Sequence, residues 1–190
     1  LSYPDWIVER LVADLGHDDA LAALETMDLA PRVHRRADGY TQDLASQWVA
    51  GLVDAGPGDR VADLCAAPGG KATAMAGVGA HVVAADLSPA RAGLVVANAR
   101  TTAPDRPGSG RLDVVVADAT APPLAPGRFD RVLIDAPCSG LGVLRRRPDA
   151  RWRIDQDAPE RLGALATRMI DAAVPLLADG GTLVFSVCTL

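Results

Sequence analysis

No stretch of these 190 residues approaches the ~20 consecutive apolar residues that a membrane-spanning helix needs, and no signal-peptide pattern is seen near Leu1. A membrane partner is therefore not expected. Cysteine is scarce. The three present, Cys65, Cys138 and Cys188, are odd in number and have no short paired spacing, which argues against a disulfide framework and against a structural zinc site. A reducing cytoplasm fits that usage best, and no metal is expected. The chain also lacks a surplus of cations: its net charge of −5 is unfavourable for a nucleic-acid binder, so any phosphate contact must come from local clusters of Lys and Arg. With 49% hydrophobic and 23% charged residues it reads as an ordinary globular protein, long enough for one substantial domain plus an appendage. Both ends look cut. The sequence opens on Leu1 rather than Met, and Leu190 follows a strand-like run with no cap after it, so the chain is expected to be a fragment with C-terminal strands missing.

Apolar periodicity divides the rest. Pro4–Leu15 carries Trp6, Ile7, Leu11, Val12 and Leu15 on a helical face, with Gly16 as a stop, and His17–Leu29 reads as a second short helix. Pro31–Thr41 is a basic loop without clear periodicity, either solvated surface or an RNA contact. Asp43–Val53 is helical. Short strands and helices then alternate: strands at Arg60–Leu64, His81–Ala85, Leu112–Ala117 and Arg131–Ile134, a helix starting at Lys71–Ala76, and another over Pro89–Arg100 with Ser88 as its N-cap. Asp157 and Pro159 open the most periodic helix, whose apolar face is Leu162, Leu165, Ala166, Met169, Ile170, Ala173 and Leu177. Gly180-Gly181 is read as the turn into a last strand at Leu183–Leu190. The alternation predicts an α/β fold with a mainly parallel, doubly wound sheet over residues 41–190, preceded by a small helical appendage and basic loop over 1–40.

Ligands of such sheets lie beyond the carboxyl ends of the strands. The run Val132–Ile134 ends on Asp135 and breaks at Pro137, with Cys138 next, and only one other apolar run, L-V-F-S-V-C-T-L, ends in a cysteine flanked by small polar residues. Two strand-end thiols and an acid suggest covalent chemistry, although a lone cysteine in an apolar strand is ordinarily a small buried hydrophobe. The first strand runs into V-A-D-L-C-A-A-P-G-G-K. Ala66, Ala67, Gly69 and Gly70 are small enough to let a ligand approach the backbone just before a helix N-terminus. The stretch is neither a G-x-G-x-x-G fingerprint nor a P-loop, which favours a nucleoside cofactor without a diphosphate. Asp86 and Asp118, at later strand ends, suit ribose hydroxyls and an adenine amino group; each is also where an acid commonly caps a turn.

These segments carry a resemblance. D-L-C-A-A-P-G-G-K at 63–71, D-A-P-C-S-G at 135–140, R-R-R-P-D at 145–149 and S-V-C-T at 186–189, with T-Q-D-L-A-S-Q at 41–47, closely resemble the RsmB/NOP2/Sun family of RNA cytosine-C5 methyltransferases, on its bacterial Sun/Fmu-like 16S rRNA side. The likeness runs from about Tyr40 to Leu190. It implies a Rossmann-like class I methyltransferase fold, S-adenosyl-L-methionine as cofactor, and a cytosine in ribosomal or transfer RNA as substrate, rRNA ahead of tRNA. It implies Cys188 as nucleophile, Asp135 at the cytosine N3 edge and Cys138 in product release. It implies a cofactor site of Cys65, Ala66, Ala67, Pro68, Gly69, Gly70, Lys71, Asp86, Arg91, Asp118 and Asp135. Cys65 as a thiol is read as structural, and Lys71 could face either the cofactor carboxylate or the RNA. Family members usually carry more chain before the T-Q-D segment and after the S-V-C-T strand. A monomer is expected.

Arg145, Arg146, Arg147, Arg151 and Arg153 with Trp152 form a local basic patch suited to phosphates and to stacking an unpaired base, or else a plain solvated face. Two other readings stay open: a non-catalytic RNA-binding module derived from such a methyltransferase, and a nicotinamide oxidoreductase, which would leave both thiols unexplained.

Overall fold

A computed structural model describes residues 2–102 and 108–188; Thr189, the last residue of S-V-C-T, lies outside them. The chain packs into two compact units. The larger comprises Val33–Ala136 and Leu165–Ser186, the smaller Leu1–Arg32, Pro137–Ala164 and Val187–Leu190.

The larger unit is built on five parallel strands, β1 (Arg60–Asp63), β2 (His81–Asp86), β3 (Leu112–Val116), β4 (Phe129–Asp135) and β5 (Leu177–Ser186), in the order β3-β2-β1-β4-β5. A parallel sheet needs cover on both faces, so its inner strands read as continuous apolar runs. On one face Val61, Val82, Ala84 and Leu133 pack against α3 (Leu44–Leu52), α4 (Gly70–Gly77) and α5 (Pro89–Thr101) through Val49, Ala72, Met75, Ala76 and Val95. On the other, Ala62, Leu64, Val132 and Ile134 meet Ala166, Met169 and Ala173 of α6 (Ala158–Ala173). Successive residues of β1 and of β4 thus alternate between the two cores, which is the doubly wound arrangement. The helix starts follow their sequence signals. Asp43 accepts from the Ala45 amide at 3.1 Å at the head of α3, and Ser88 caps α5, with Pro89 at its first position.

Two boundaries differ from the sequence reading. The last helix ends at Ala173 rather than running on through Leu177, because Pro175 has no amide to donate and its ring clashes with the preceding turn; a 3-10 turn at Val174–Leu176 follows. Strand β5 accordingly begins at Leu177, and Gly180-Gly181 lies inside it. Register passes from Phe129↔Leu177 to Arg131↔Thr182, so these glycines form an irregularity within the strand. Gly180 has a φ of 77°, and a Cβ on Gly181 would sit 3.0 Å from the Phe129 carbonyl oxygen. The strand ends at Ser186, which leaves Cys188 two residues beyond it.

In the smaller unit α1 (Asp5–Leu15) and α2 (His17–Asp28) close over the segment that follows β4. Ile7, Leu11, Ala20, Leu24 and Met27 share a core with Leu141 and Leu144. Arg151 is buried there, 4.0 Å from the centre of the Tyr3 ring, and donates to the Asp28 carboxylate at 2.9 Å and to the Ser2 and Pro148 carbonyls at 2.8 Å each. Tyr3 is held protonated: burial pushes its hydroxyl up to about 12, and that hydroxyl donates to Asp28 at 3.0 Å. Arg145 donates to the Leu29 and Ala30 carbonyls at the end of α2. Arg145 and Arg151 therefore belong to the packing of this unit, which reduces the exposed basic patch to Arg146, Arg147 and Arg153 beside Trp152. Among the described residues no helix is long and apolar enough to cross a membrane, and no cluster of side chains has the makings of a metal site.

Candidate active site

The strand order reverses between β1 and β4, and the carboxyl ends of those two strands are where such a fold opens a crevice. Each strand ends on an acid, Asp63 and Asp135. Lys71, one residue into α4, reaches across the switch point to Asp135, with Nζ 2.6 Å from Oδ2, and both side chains are largely withdrawn from solvent. The sequence left Lys71 between the cofactor and the RNA; its partner is a third group, the acid of D-A-P-C.

Asp63 is the unusual member. It is 1% exposed, and neither carboxylate oxygen has a hydrogen-bond partner; the approach of the Cys65 amide falls short of one. Burial, reinforced by Asp135 and Asp86 and opposed by Lys71, pushes its carboxyl up from 3.8 to about 7. An orphaned buried acid is costly to the fold. It is the kind of group that a cationic ligand can satisfy. Cys65, two residues on, is pushed up to about 12, first by burial and then by Asp63, Asp86 and Asp135, so its thiol resists ionisation.

The loop Cys65–Gly70 is held by side chains that take its carbonyls and one of its amides. Asp86 accepts the Ala67 amide at 3.2 Å and the Ser88 amide at 3.1 Å, Arg91 joins Asp86 to the Ala67 carbonyl, and Asn98 donates to the Pro68 carbonyl at 2.7 Å. Asp86 is thus a turn cap at the carboxyl end of β2. Asp118 is exposed and accepts from the Thr120 amide and hydroxyl at 2.8 Å each, which holds it below the usual carboxylate range. The glycines have a packing reason that the sequence did not disclose. Gly69 sits at φ 106° with Val95 3.1 Å from where a Cβ would be, and a Cβ on Gly70 would meet the Tyr40 ring at 2.9 Å and the Gln42 amide at 3.0 Å.

The ends of β4 and β5 are neighbours: Asp135 pairs in register with Ser186, and the Ala136 amide donates to the Ser186 carbonyl at 2.9 Å. Cys138 follows the first of these ends by three residues and Cys188 the second by two. Within the smaller unit the two segments meet again, where the Gly142 amide donates to the Cys188 carbonyl at 3.2 Å. Cys138 is half-buried and Cys188 exposed, and no disulfide joins described cysteines.

Comparison with known proteins follows the same outline. The family model for the 16S rRNA methyltransferase RsmB/F matches residues 50–190. The chain belongs to that family. Ribosomal RNA small subunit methyltransferase B of Thermus thermophilus is 40% identical over 153 residues, 78% of this chain and 35% of that protein, and its namesake in Yersinia pseudotuberculosis is 40% identical over 156 residues. The solved structure of NSun6 from Pyrococcus horikoshii, determined with the ligand SFG, superposes on 80% of this chain and 38% of that one with a TM-score of 0.66 and 30% identity. The solved structure of PH0851 covers 99% of this chain and 53% of its own with a TM-score of 0.83, at an identity of 23% that speaks for the fold alone. The chain spans about a third of the length of the curated relatives it matches. These likenesses establish the Rossmann-like class I methyltransferase fold. Asp63 and the loop-holding Asn98 were missed as site residues. Asp63 had a readable signal, an acid closing an otherwise apolar strand; Asn98 had none, because its role depends on where α5 passes the loop.

Proposed function

We propose that the protein transfers a methyl group from S-adenosylmethionine to C5 of a cytosine in RNA, rRNA ahead of tRNA, through a covalent adduct between Cys188 and C6 of the base. The observation that carries this reading is the charge arrangement at the switch point, an orphaned buried Asp63 beside the Lys71–Asp135 pair. It calls for a ligand with positive charge and hydrogen-bond donors, and S-adenosylmethionine has both, charge on its ammonium and sulfonium and donors in its ammonium and ribose hydroxyls. Cys65–Lys71, Asp86, Arg91 and Asp118 are the residues that would hold it, and when bound it supplies an electrophilic methyl group. The relatives' names support RNA of the small ribosomal subunit as the substrate.

The chain's own residues do the rest. C5 of cytosine is a weak nucleophile until a thiolate adds at C6. Cys188 Sγ forms that bond as the proton given up by its thiol is taken up at N3, where the N3–H then donates to the Asp135 carboxylate that Lys71 positions. After the methyl group is in place at C5, a base takes the C5 proton, the electron pair of that C–H bond re-forms the C5–C6 double bond, the C6–Sγ bond breaks to release the Cys188 thiolate, and N3 gives up its proton. Cys138, on the loop after β4, assists that elimination. In this reading both thiols act on one unpaired cytosine.

The test is calorimetric titration of the purified protein with S-adenosylmethionine, S-adenosylhomocysteine and NADH, followed by mass mapping of 5-methylcytosine in small-subunit rRNA incubated with the complete protein. Binding of the first two with a new 5-methylcytosine supports the reading. Binding of NADH alone, or methyl transfer to another atom, overturns it.

A further inference from the structure

We propose that Arg36 is a positioning residue for the cofactor loop, and that the small hairpin carrying it sets how well this protein binds S-adenosylmethionine. The inference rests on the reading of Cys65–Lys71 as the cofactor cradle. The hairpin is closed by an antiparallel bridge between Arg35 and Thr41, with the Arg36 amide donating to the Tyr40 carbonyl at 2.9 Å and the Gly39 amide to the Arg36 carbonyl at 2.9 Å. It belongs to the basic stretch read from sequence as solvated surface or an RNA contact. Arg36 is neither. Its side chain is 10% exposed and points into the larger unit.

Every donor face of the guanidinium is used. It pairs with the Asp38 carboxylate, donates to Gln42 Oε1 at 3.1 Å and to Thr73 Oγ1 at 3.1 Å, lies 5.0 Å from the centre of the Tyr40 ring, and donates to the carbonyl of Gly70. Asp38 is itself fixed. Although burial alone would raise its carboxyl, hydrogen bonds from Arg36 and from the Tyr40 amide hold it below the usual range. Tyr40 then accepts from Asn98 at 3.3 Å, and Asn98 holds Pro68.

Three loop carbonyls are therefore each taken by side chains: Ala67 by Arg91, Pro68 by Asn98, and Gly70 by Arg36 together with the Thr73 hydroxyl at 3.2 Å, which Arg36 also holds. Arg91 and Asn98 come from α5, whereas Arg36 comes from the opposite side in sequence and grips the first residue of α4. A loop rich in Ala and Gly has many conformations to lose, and any left unfixed must be lost when the ligand binds. Fixing the Gly70 carbonyl in advance removes part of that cost and aims the first amides of α4, which helix bonding leaves unpaired, in one direction. A lysine, with three donors on a single nitrogen, cannot span these four acceptors, whereas the planar fork of Arg can.

The experiment measures S-adenosylhomocysteine affinity by calorimetry for the unaltered protein, Arg36→Ala, Arg36→Lys and Met169→Ala. The last destabilises the unit from the other face of the sheet and controls for loss of stability as such. Arg36→Ala should bind about tenfold more weakly, ~1.4 kcal/mol, with Arg36→Lys between it and the parent, and Met169→Ala should bind like the parent. KM for S-adenosylmethionine should rise in step while kcat at saturation is kept. Parent-like affinity in Arg36→Ala, or an equal loss in Met169→Ala, overturns the proposal. If Arg36→Ala does not fold, parent-like affinity in Arg36→Lys overturns it and a several-fold loss supports it. Failure of the unaltered protein to bind S-adenosylhomocysteine overturns the cofactor reading itself, and this inference with it.

Discussion

Replacing Asp63 by Asn keeps the side chain's shape and removes its ability to ionise. In the folded protein this carboxyl titrates at about 7, against 3.8 for the ordinary group, because burial without a partner opposes the charge. Between those two values the folded chain keeps a proton that the unfolded chain releases, so stability must fall as pH rises through the window and level off above it. At ~1.4 kcal/mol per pH unit the gap amounts to as much as about 4 kcal/mol, a large share of the 5–15 kcal/mol that is roughly the total for a domain. Among the described residues, the carboxyls held low, Asp28, Asp38, Asp118 and Asp155, act in the opposite sense and only on the acid side of the window. Urea unfolding of the parent and of Asp63→Asn, from about pH 4.5 to about pH 7.5, reads the difference directly. The parent should lose stability relative to the variant as pH rises, and saturating S-adenosylmethionine should flatten the parent's curve, since a bound cation favours the ionised acid. Parallel curves for the two proteins would refute the reasoning and mean that Asp63 is paired in solution.

Two further predictions separate the arginines of the 145–153 segment. Arg151→Met should cost about 2–4 kcal/mol by urea unfolding, less than a fully buried pair because Asp28 is partly exposed, while leaving the salt dependence of RNA binding as it was. Arg146→Ala with Arg147→Ala should do the reverse, reducing the slope of log affinity against log salt by about 2 in filter binding with little change in stability.

Much of the fold was legible because its strands and helices are set by period. Val132–Ile134 announces a strand buried on both faces, and Ser88-Pro89 announces the start of α5. Misreadings occurred where period and chemistry disagree: Leu177 continues the apolar rhythm of α6, yet Pro175 ends the helix before it. Of the candidate site, the residues at strand ends could be named from their motifs. Their partners could not. That Lys71 meets Asp135, that Arg36 grips Gly70 and that Arg151 lies under Tyr3 are contacts between positions 34 to 148 residues apart, which no local pattern encodes. The basic residues show the limit most clearly, since Arg36, Arg145 and Arg151 look like surface charge in sequence and hold the backbone together in the structure.

The division of labour between the two strand-end cysteines is the central claim, and denaturing electrophoresis of the complete protein incubated with its RNA and S-adenosylmethionine tests it most directly. Cys188→Ala should give neither methylated cytosine nor a protein–RNA adduct, because no thiolate reaches C6. Cys138→Ala should still add to the base but release it slowly, so a methylated adduct should accumulate and survive denaturation. An adduct that persists in Cys188→Ala and vanishes in Cys138→Ala would contradict the assignment and make the thiol that follows Pro137 the nucleophile.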